Sequence, residues 1–222
     1  MTAIFLAAFM AAAPSPLEIA RDKQDRPALT GLAGQAGGAA AKAPSDAGAQ
    51  IRAALAYSYL AEIAIEARDR KAGRQAAEQG IRFAEKAVAL KPQSAEYYRV
   101  LGTLYGQAVT DLMSGLSYGP KAKEAINKTV ELAPKDSMSW VAHGVGSYYL
   151  PAQLGGGSKV AIPDFQKAID LDPKNAEAYL WLGLSLRKEN RDADARKAFA
   201  KALELNPNRM WAKQQLEKTP AK

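Results

Sequence analysis

The sequence predicts an all-α chain of stacked antiparallel helix pairs, an α-solenoid, and three observations predict it. Prolines suited to ending a second helix recur at Pro92, Pro134, Pro173 and Pro207, at spacings of 42, 39 and 34 residues. Upstream of these prolines, paired amphipathic stretches repeat the same order of small and large apolar residues across a polar or glycine-containing turn. Alanine and leucine dominate and β-branched runs are absent, which favours helix throughout. In such an array each unit buries its apolar face only against its neighbours, so three or more units are needed for a core.

The most regular unit runs from Ala176 to Pro207. Tyr179, Leu182, Gly183 and Leu186 share one side of its first helix, Ala195, Phe199, Ala202 and Leu203 one side of its second, and Pro207 closes it. This unit resembles the tetratricopeptide repeat, W-x2-L-G-x2-Y followed by A-x3-F and P, with Tyr179 in place of the Trp and Leu186 in place of the Tyr. Upstream, Trp140, His143, Gly144, Ala161, Phe165 and Ala168 fill the same slots, as do Tyr98, Leu101, Gly102, Tyr105, Ala122 and Ile126. Before Pro92 the match thins to Tyr57 and Ala87. The resemblance implies a right-handed solenoid of about four repeats, with a degenerate N-terminal helix pair and a C-terminal capping helix. Gly102, Gly144 and Gly183 are expected to let paired helices nest closely.

Taken in order, residues 1–15 resemble a signal peptide: Ala3 to Ala13 has the length of a secretory apolar region and is too short to span a bilayer. No Lys or Arg precedes it, and Pro14 follows the Ala11-Ala12-Ala13 cleavage position. Export to the periplasm or beyond is the expectation, with a cytoplasmic protein as the alternative. Residues 16–44 read as the degenerate pair, a short helix over Leu17–Asp22 and a second begun by Pro27. Its glycines at 31, 34, 37 and 38 weaken it. Residues 45–94 form a long first repeat: Ser45 or Asp46 caps a helix through about Arg68, Asp69-Arg70-Lys71 turns, and a second helix ends near Leu90. In residues 95–136 the first helix is expected to continue past Tyr105 to about Met113, with Pro120 opening the second. Residues 137–175 carry their insertion in the Leu150–Gly157 loop; Ser158 is the expected cap, and Pro163 bends or delays the helix that follows. After the regular repeat, 176–209, comes the capping helix and tail, 210–222, with Trp211 and Leu216 on its apolar side.

The long first repeat, then YYRVLGTLYGQ, KAKEAINKTVELAPKD and a Pro-x-x-x-Gly-Gly loop at Pro151, Gly155 and Gly156, are similar to one subgroup of the repeat family. That subgroup includes eukaryotic regulators of microtubule dynamics and bacterial exported proteins. The likeness covers roughly residues 50 to 207 and is one of architecture.

Chemistry is sparse. With no cysteine, disulfide frameworks, thiolate metal sites and thiol catalysis are excluded. The net charge of +7 is spread over helical faces where Lys and Arg interleave with Asp and Glu, as on a solvated surface. His143 stands alone and reads as a satisfied core or groove residue. Gly155-Gly156-Gly157-Ser158-Lys159 lacks the residue order and preceding strand of a phosphate loop. Glu62 with Glu66, and Asp192 with Asp194, read as exposed carboxylate pairs with no pocket to tune them. No catalytic residue, cofactor or metal site is assigned, and the chain is read as a non-enzymatic scaffold.

The resemblance places a binding groove along the first helices of the repeats. In this sequence the lining positions are Ile51, Leu55 and Tyr59, then Arg99, Thr103 and Gln107. They continue with Val141, Val145, Tyr148 and Tyr149, then Leu180, Leu184, Arg187 and Lys188. Such an apolar and aromatic wall implies a protein or peptide partner with apolar anchors. A small hydrophobic ligand carried in the same groove is the alternative, and the helices at 16–42 could instead fill it. The Lys/Asn carboxylate clamp of chaperone-binding relatives has apolar residues at the matching slots. Nucleic acid and a stable membrane span are not expected.

Overall fold

The computed structural model describes residues 13–221. Among them are eleven α-helices and one 3-10 turn, with no strand. They form five antiparallel pairs and a cap. The pairs are α1 (Pro16–Asp22) with α2 (Arg26–Lys42), α3 (Ala47–Glu66) with α4 (Arg70–Leu90), and α5 (Ala95–Gln107) with α6 (Leu112–Leu132). Then follow α7 (Ser137–Tyr149) with α8 (Ser158–Leu171), α9 (Ala176–Lys188) with α10 (Asp192–Leu205), and α11 (Met210–Glu217). Successive first helices touch one another, α1 to α3, α3 to α5, α5 to α7 and α7 to α9, and so form the inner layer of the solenoid.

The turns explain the boundaries. Ser15, Asp25, Asp46, Asp69, Ser94, Asp111, Asp136 and Asn175 each accept a hydrogen bond from the backbone two or three residues into the next helix. Each such cap stabilises its helix by about 1 kcal/mol. Three of the turns inside pairs share one backbone device: Gln24, Arg68 and Asn190 all take the left-handed conformation one residue before the next helix or its cap. The α1–α2 turn therefore has the geometry of a repeat, and α1 is the shortened first helix of a fifth unit.

Close packing rests on glycine. A Cβ on Gly102 would lie 2.7 Å from the Ile126 side chain, on Gly144 2.5 Å from the Phe165 ring, and on Gly183 2.6 Å from the Phe199 ring. Phe165 and Phe199 are completely buried against those bare backbones. The core runs as a chain of clusters, the largest joining α3, α4 and α5 around Ile81, Val100 and Leu104, another joining α9, α10 and α11 around Leu180 and Phe199.

Three local expectations are corrected. The insertion of the second repeat belongs to its second helix: α5 stops at Gln107, and α6 starts at Leu112 with Pro120 inside it. Asp111 and Ser114 decide this by capping each other's backbone, and Pro120 is tolerated although it leaves the Leu116 carbonyl without its helical donor. Ser158 is the first residue of α8, not its cap; Gly157 is the cap, and the buried Ser158 hydroxyl donates instead to Glu189. Glu62 and Glu66 are not exposed: their side chains keep 24% and 2% of their surface. The proposed leader lies almost wholly outside the described residues. No described helix is long and apolar enough to cross a membrane.

Candidate functional site

The inner face of the solenoid is organised around a buried guanidinium. Arg209 stands just before α11 with 2% of its side chain accessible. Its Nη2 donates to Glu62 at 2.5 Å and Glu66 at 2.6 Å, and its Nε donates to Glu177 at 3.0 Å. Asp22 lies 3.9 Å from the same Nε. Arg21 supplies a second cation, 2.7 Å from Asp22 and 3.2 Å from Glu177. Around these, Asn206 donates to Asp22 at 2.7 Å, Gln24 to Glu66 at 2.8 Å, and Gln214 to Gln24 at 2.9 Å. The groups come from α1 and its turn, from α3, from the start of α9 and from both sides of the α10–α11 turn. The first and last units of the chain, some 184 residues apart, thus meet through a polar hub.

The hub holds four carboxylates and two guanidiniums, an excess of negative charge in a poorly solvated place. Burial works against the charge of Arg209, but Glu177, Glu62 and Glu66 outweigh it and hold its pKa well above the usual value. Arg21 behaves alike, burial being overcome by Glu177 and Glu62. For Glu177 the two arginines outweigh burial and its pKa is lowered. Glu62 and Glu66 go the other way: burial dominates, and Glu62 is pushed up to about 7. Glu62 keeps a quarter of its side chain open, so water relieves part of that burial. The upward direction stands because Glu66 and Glu177 crowd the same guanidiniums. Glu177 gains further from lying in the first turn of α9, at the positive end of the helix dipole.

Beside the hub lies an aromatic floor. Trp181 contacts Trp211, Tyr148 and Tyr149 edge to face, with ring centroids 5.4, 5.7 and 5.9 Å away, and stacks on Phe165 at 6.4 Å. The Arg209 guanidinium stands 5.5 Å above Trp211, so floor and hub are one structure. Lys188 sits 4.7 Å over the Tyr148 ring. Tyr149 keeps 61% of its surface open, while nearby protein, then Tyr148, Glu66 and Glu62, push its hydroxyl pKa up. It is the open side chain of the aromatic floor.

The groove positions named from the sequence divide three ways. Ile51, Val141, Leu180 and Leu184 are buried between helices, and Leu55 and Val145 are half-buried against the same clusters. The chain itself covers a second set. Arg21 lies 4.9 Å over the Tyr59 ring, and α1 packs Leu17 and Ala20 beside it; burial pushes the Tyr59 hydroxyl up to about 12. Arg187 donates to the Gln215 side chain at 2.7 Å, and Arg196 donates to the Thr219 carbonyl at 2.6 Å, so both arginines hold the C-terminal cap in place. Gln107 exchanges hydrogen bonds with Ser58 at 3.1 and 3.2 Å. Arg99 and Thr103 are half-buried on α5. Tyr148, Tyr149 and Lys188 come together as the open remainder. His143 accepts a structural role, its Nδ1 2.8 Å from Asp164, and that bond raises its pKa.

The hub and Trp181 are not visible in the sequence pattern, and Trp211 reads there only as the apolar side of the capping helix. A signal existed for Glu62 and Glu66: one turn apart, they interrupt the otherwise apolar second half of α3, between Tyr59, Ile63 and Ile65. Carboxylates on such a face need a cation, and Arg209, 143 residues away from Glu66, gave no local sign of being it.

Fold, repeat spacing and glycine-based packing define a tetratricopeptide-repeat solenoid, a fold that serves as a scaffold for protein interactions. The profile of the tetratricopeptide repeat matches residues 155–209. That of the regulator of microtubule dynamics protein 1-3 family matches residues 24–150, more than half of the chain, and the chain belongs to that family. No curated protein sequence matches it. Among solved structures it is similar to TTC0263, a thermophilic TPR protein of Thermus thermophilus, with 19% identity, a TM-score of 0.54, and coverage of 85% of this chain and 99% of that one. It is also similar to YrrB, a TPR protein with an unusual peptide-binding site, at 17% identity, a TM-score of 0.48, and 93% and 100% coverage. For PilF of Pseudomonas aeruginosa the values are 20%, 0.48, 75% and 67%. At such identities the first of these speaks to the fold alone.

Proposed function

We propose that the protein is a non-enzymatic scaffold that binds a protein or peptide partner on its concave side, in the bacterial cell envelope. The observation that carries the reading is Tyr149, open at 61% on a floor of Tyr148, Trp181 and Trp211. A large aromatic held open beside a rigid aromatic floor is the usual anchor point of an interface. The lysine over Tyr148 adds a polar group that would orient an incoming chain. The envelope location rests on the apolar opening of the sequence. Because α1 and α11 cover much of the inner wall, the partner surface is a short segment and not a groove running the length of the solenoid.

A photoreactive residue at position 149, with a second at Gln166 on the exposed side of α8 as control, tests this in cells of the native organism. A discrete cross-linked polypeptide at 149 and none at 166 supports the reading. Equal labelling at both, or none at either, removes it. A small co-purifying mass in native mass spectrometry, with no polypeptide cross-linked at 149, would favour a carrier of a hydrophobic ligand instead.

A further inference from the structure

Three of the four most exposed large apolar residues of the described chain stand together on an outer helix. Leu112 (78%), Met113 (74%) and Leu116 (67%) stand on the first turns of α6. Leu112, Leu116 and Lys123 fall within about 40° of one another around the helix, with Met113 alongside.

The surroundings are charged mainly in one sense. Arg74 of α4 reaches both Glu78 at 2.9 Å and Asp111 at 3.3 Å, which places the start of α4 beside the start of α6. Asp69, at the head of α4, is taken by Arg26 at 3.0 Å. Asp69, Glu78 and Asp111 are therefore neutralised, and Glu124 is the exposed acid left on α6. Arg68, Arg70, Lys71 and Lys123 are exposed, and among the described residues none of them has a salt-bridge partner.

We infer that this edge docks on an anionic lipid bilayer, with Leu112, Met113 and Leu116 entering the interface and Arg68, Arg70, Lys71 and Lys123 meeting its headgroups. An interfacial element combines an apolar tip with unpaired cations in this way, and its affinity is the sum of buried apolar area and attraction to anionic lipid. A protein interface of comparable strength would need a broad, shape-matched patch with its charges paired across the contact. Here the apolar side chains project from one helix end, and among the exposed charges without a salt-bridge partner the four cations outnumber the acid beside them, Glu124. Arg70 is shared with the surface around Tyr149, whose hydroxyl feels its charge, whereas Leu112, Met113 and Leu116 stand on the outer helix α6 and take no part in that surface.

The chain has no cysteine, so one environment-sensitive label can be placed at will. Full-length protein carrying Met113→Cys, labelled with a nitrobenzoxadiazole dye, is mixed with vesicles of phosphatidylcholine alone or with phosphatidylglycerol. A label at Gln93→Cys, in the α4–α5 turn on the opposite edge, is the control. On anionic vesicles the label at position 113 should shift to the blue and be quenched by a lipid-borne quencher, while the label at 93 stays aqueous. Adding Leu112→Gln and Leu116→Gln should weaken partitioning reported at 113 at least tenfold, and raised salt should weaken it as well. An aqueous spectrum at 113 while the protein co-floats would mean that the N-terminal apolar segment alone brings it down, and overturns the inference. So does equal partitioning onto uncharged vesicles. A blue shift without vesicles would place a second copy of the chain on the patch and overturns it too.

Discussion

Replacing Arg209 by methionine removes the cation that joins the two ends of the solenoid while keeping most of the side-chain volume. In the native protein this guanidinium is 2% accessible and serves Glu62, Glu66 and Glu177 within 2.5 to 3.0 Å. Without it Arg21 is the remaining cation, already shared between Asp22 and Glu177. Glu66, as buried as Arg209 itself, keeps the neutral amide of Gln24 as its polar partner. Breaking one side of a buried ion cluster in this way costs about 3–5 kcal/mol, most of it the penalty of stranded carboxylates. Those carboxylates can escape by taking up protons, so the deficit of the variant should be larger at pH 8 than at pH 5. The assay is urea unfolding followed by circular dichroism at both pH values, alongside small-angle scattering of the folded state. A linear array unfolds unit by unit, whereas an array whose ends are tied gains cooperativity. Arg209→Met should therefore broaden or split the transition and enlarge the radius of gyration. A loss under about 1 kcal/mol at both pH values, with an unchanged transition width, would refute the role given to the hub.

Glu62→Gln should flatten the pH dependence of the native protein. The folded pKa of Glu62 is raised to about 7 from an ordinary 4.5, so its contribution is fully present below 4.5 and is lost as the pH rises through 7. Thermal melts of the two proteins between pH 5 and 8 check this, and parallel profiles would count against it. His143, raised by its bond to Asp164, likewise stabilises below its ordinary 6.5 and loses that contribution as the pH climbs past its folded value. Nuclear magnetic resonance titration of this one imidazole should show a midpoint above 6.5, and a midpoint below it would mean that the bond is absent. Gly144→Ala and Gly183→Ala drive a Cβ into Phe165 and Phe199 and should each cost about 1–3 kcal/mol in denaturant. Gly146→Ala, where a Cβ meets nothing within 4 Å, should be neutral or slightly stabilising.

The sequence disclosed the repeating part of the molecule because the repeat is a local pattern. Gly183 four residues from Tyr179, and Phe199 four from Ala195, fix which faces meet whatever the rest of the chain does. Some helix ends were legible for the same reason: Ser45 or Asp46 is the expected cap of α3, and it is Asp46; Asp69, expected in the turn, caps α4. The α5–α6 boundary was misjudged because Pro120 is an ordinary first residue of a helix, while the reciprocal capping of Asp111 and Ser114 decides the matter eight residues earlier. The candidate site was much less legible. Tyr148 and Tyr149 could be placed on the inner layer from the repeat frame, but what covers that layer depends on how tightly the solenoid winds. Winding is a sum of small rotations over all units, and no residue encodes it. The contact of Asp22 with Asn206 is its outcome, and so is the burial that turns Glu62 and Glu66 from surface residues into the hub.

The direct test of the closed solenoid is a distance between its ends. In the cysteine-free chain, Gln24→Cys and Gln214→Cys replace two side chains that lie 2.9 Å apart, and the Arg209 bonds to Glu62, Glu66 and Glu177 are left in place. Treated at low protein concentration with a short bis-maleimide, the folded double variant should cross-link within one chain nearly completely, and each single variant should not. A double variant that stays uncross-linked, or joins only between chains, would mean that the ends stand apart and that the inner face is open along its length.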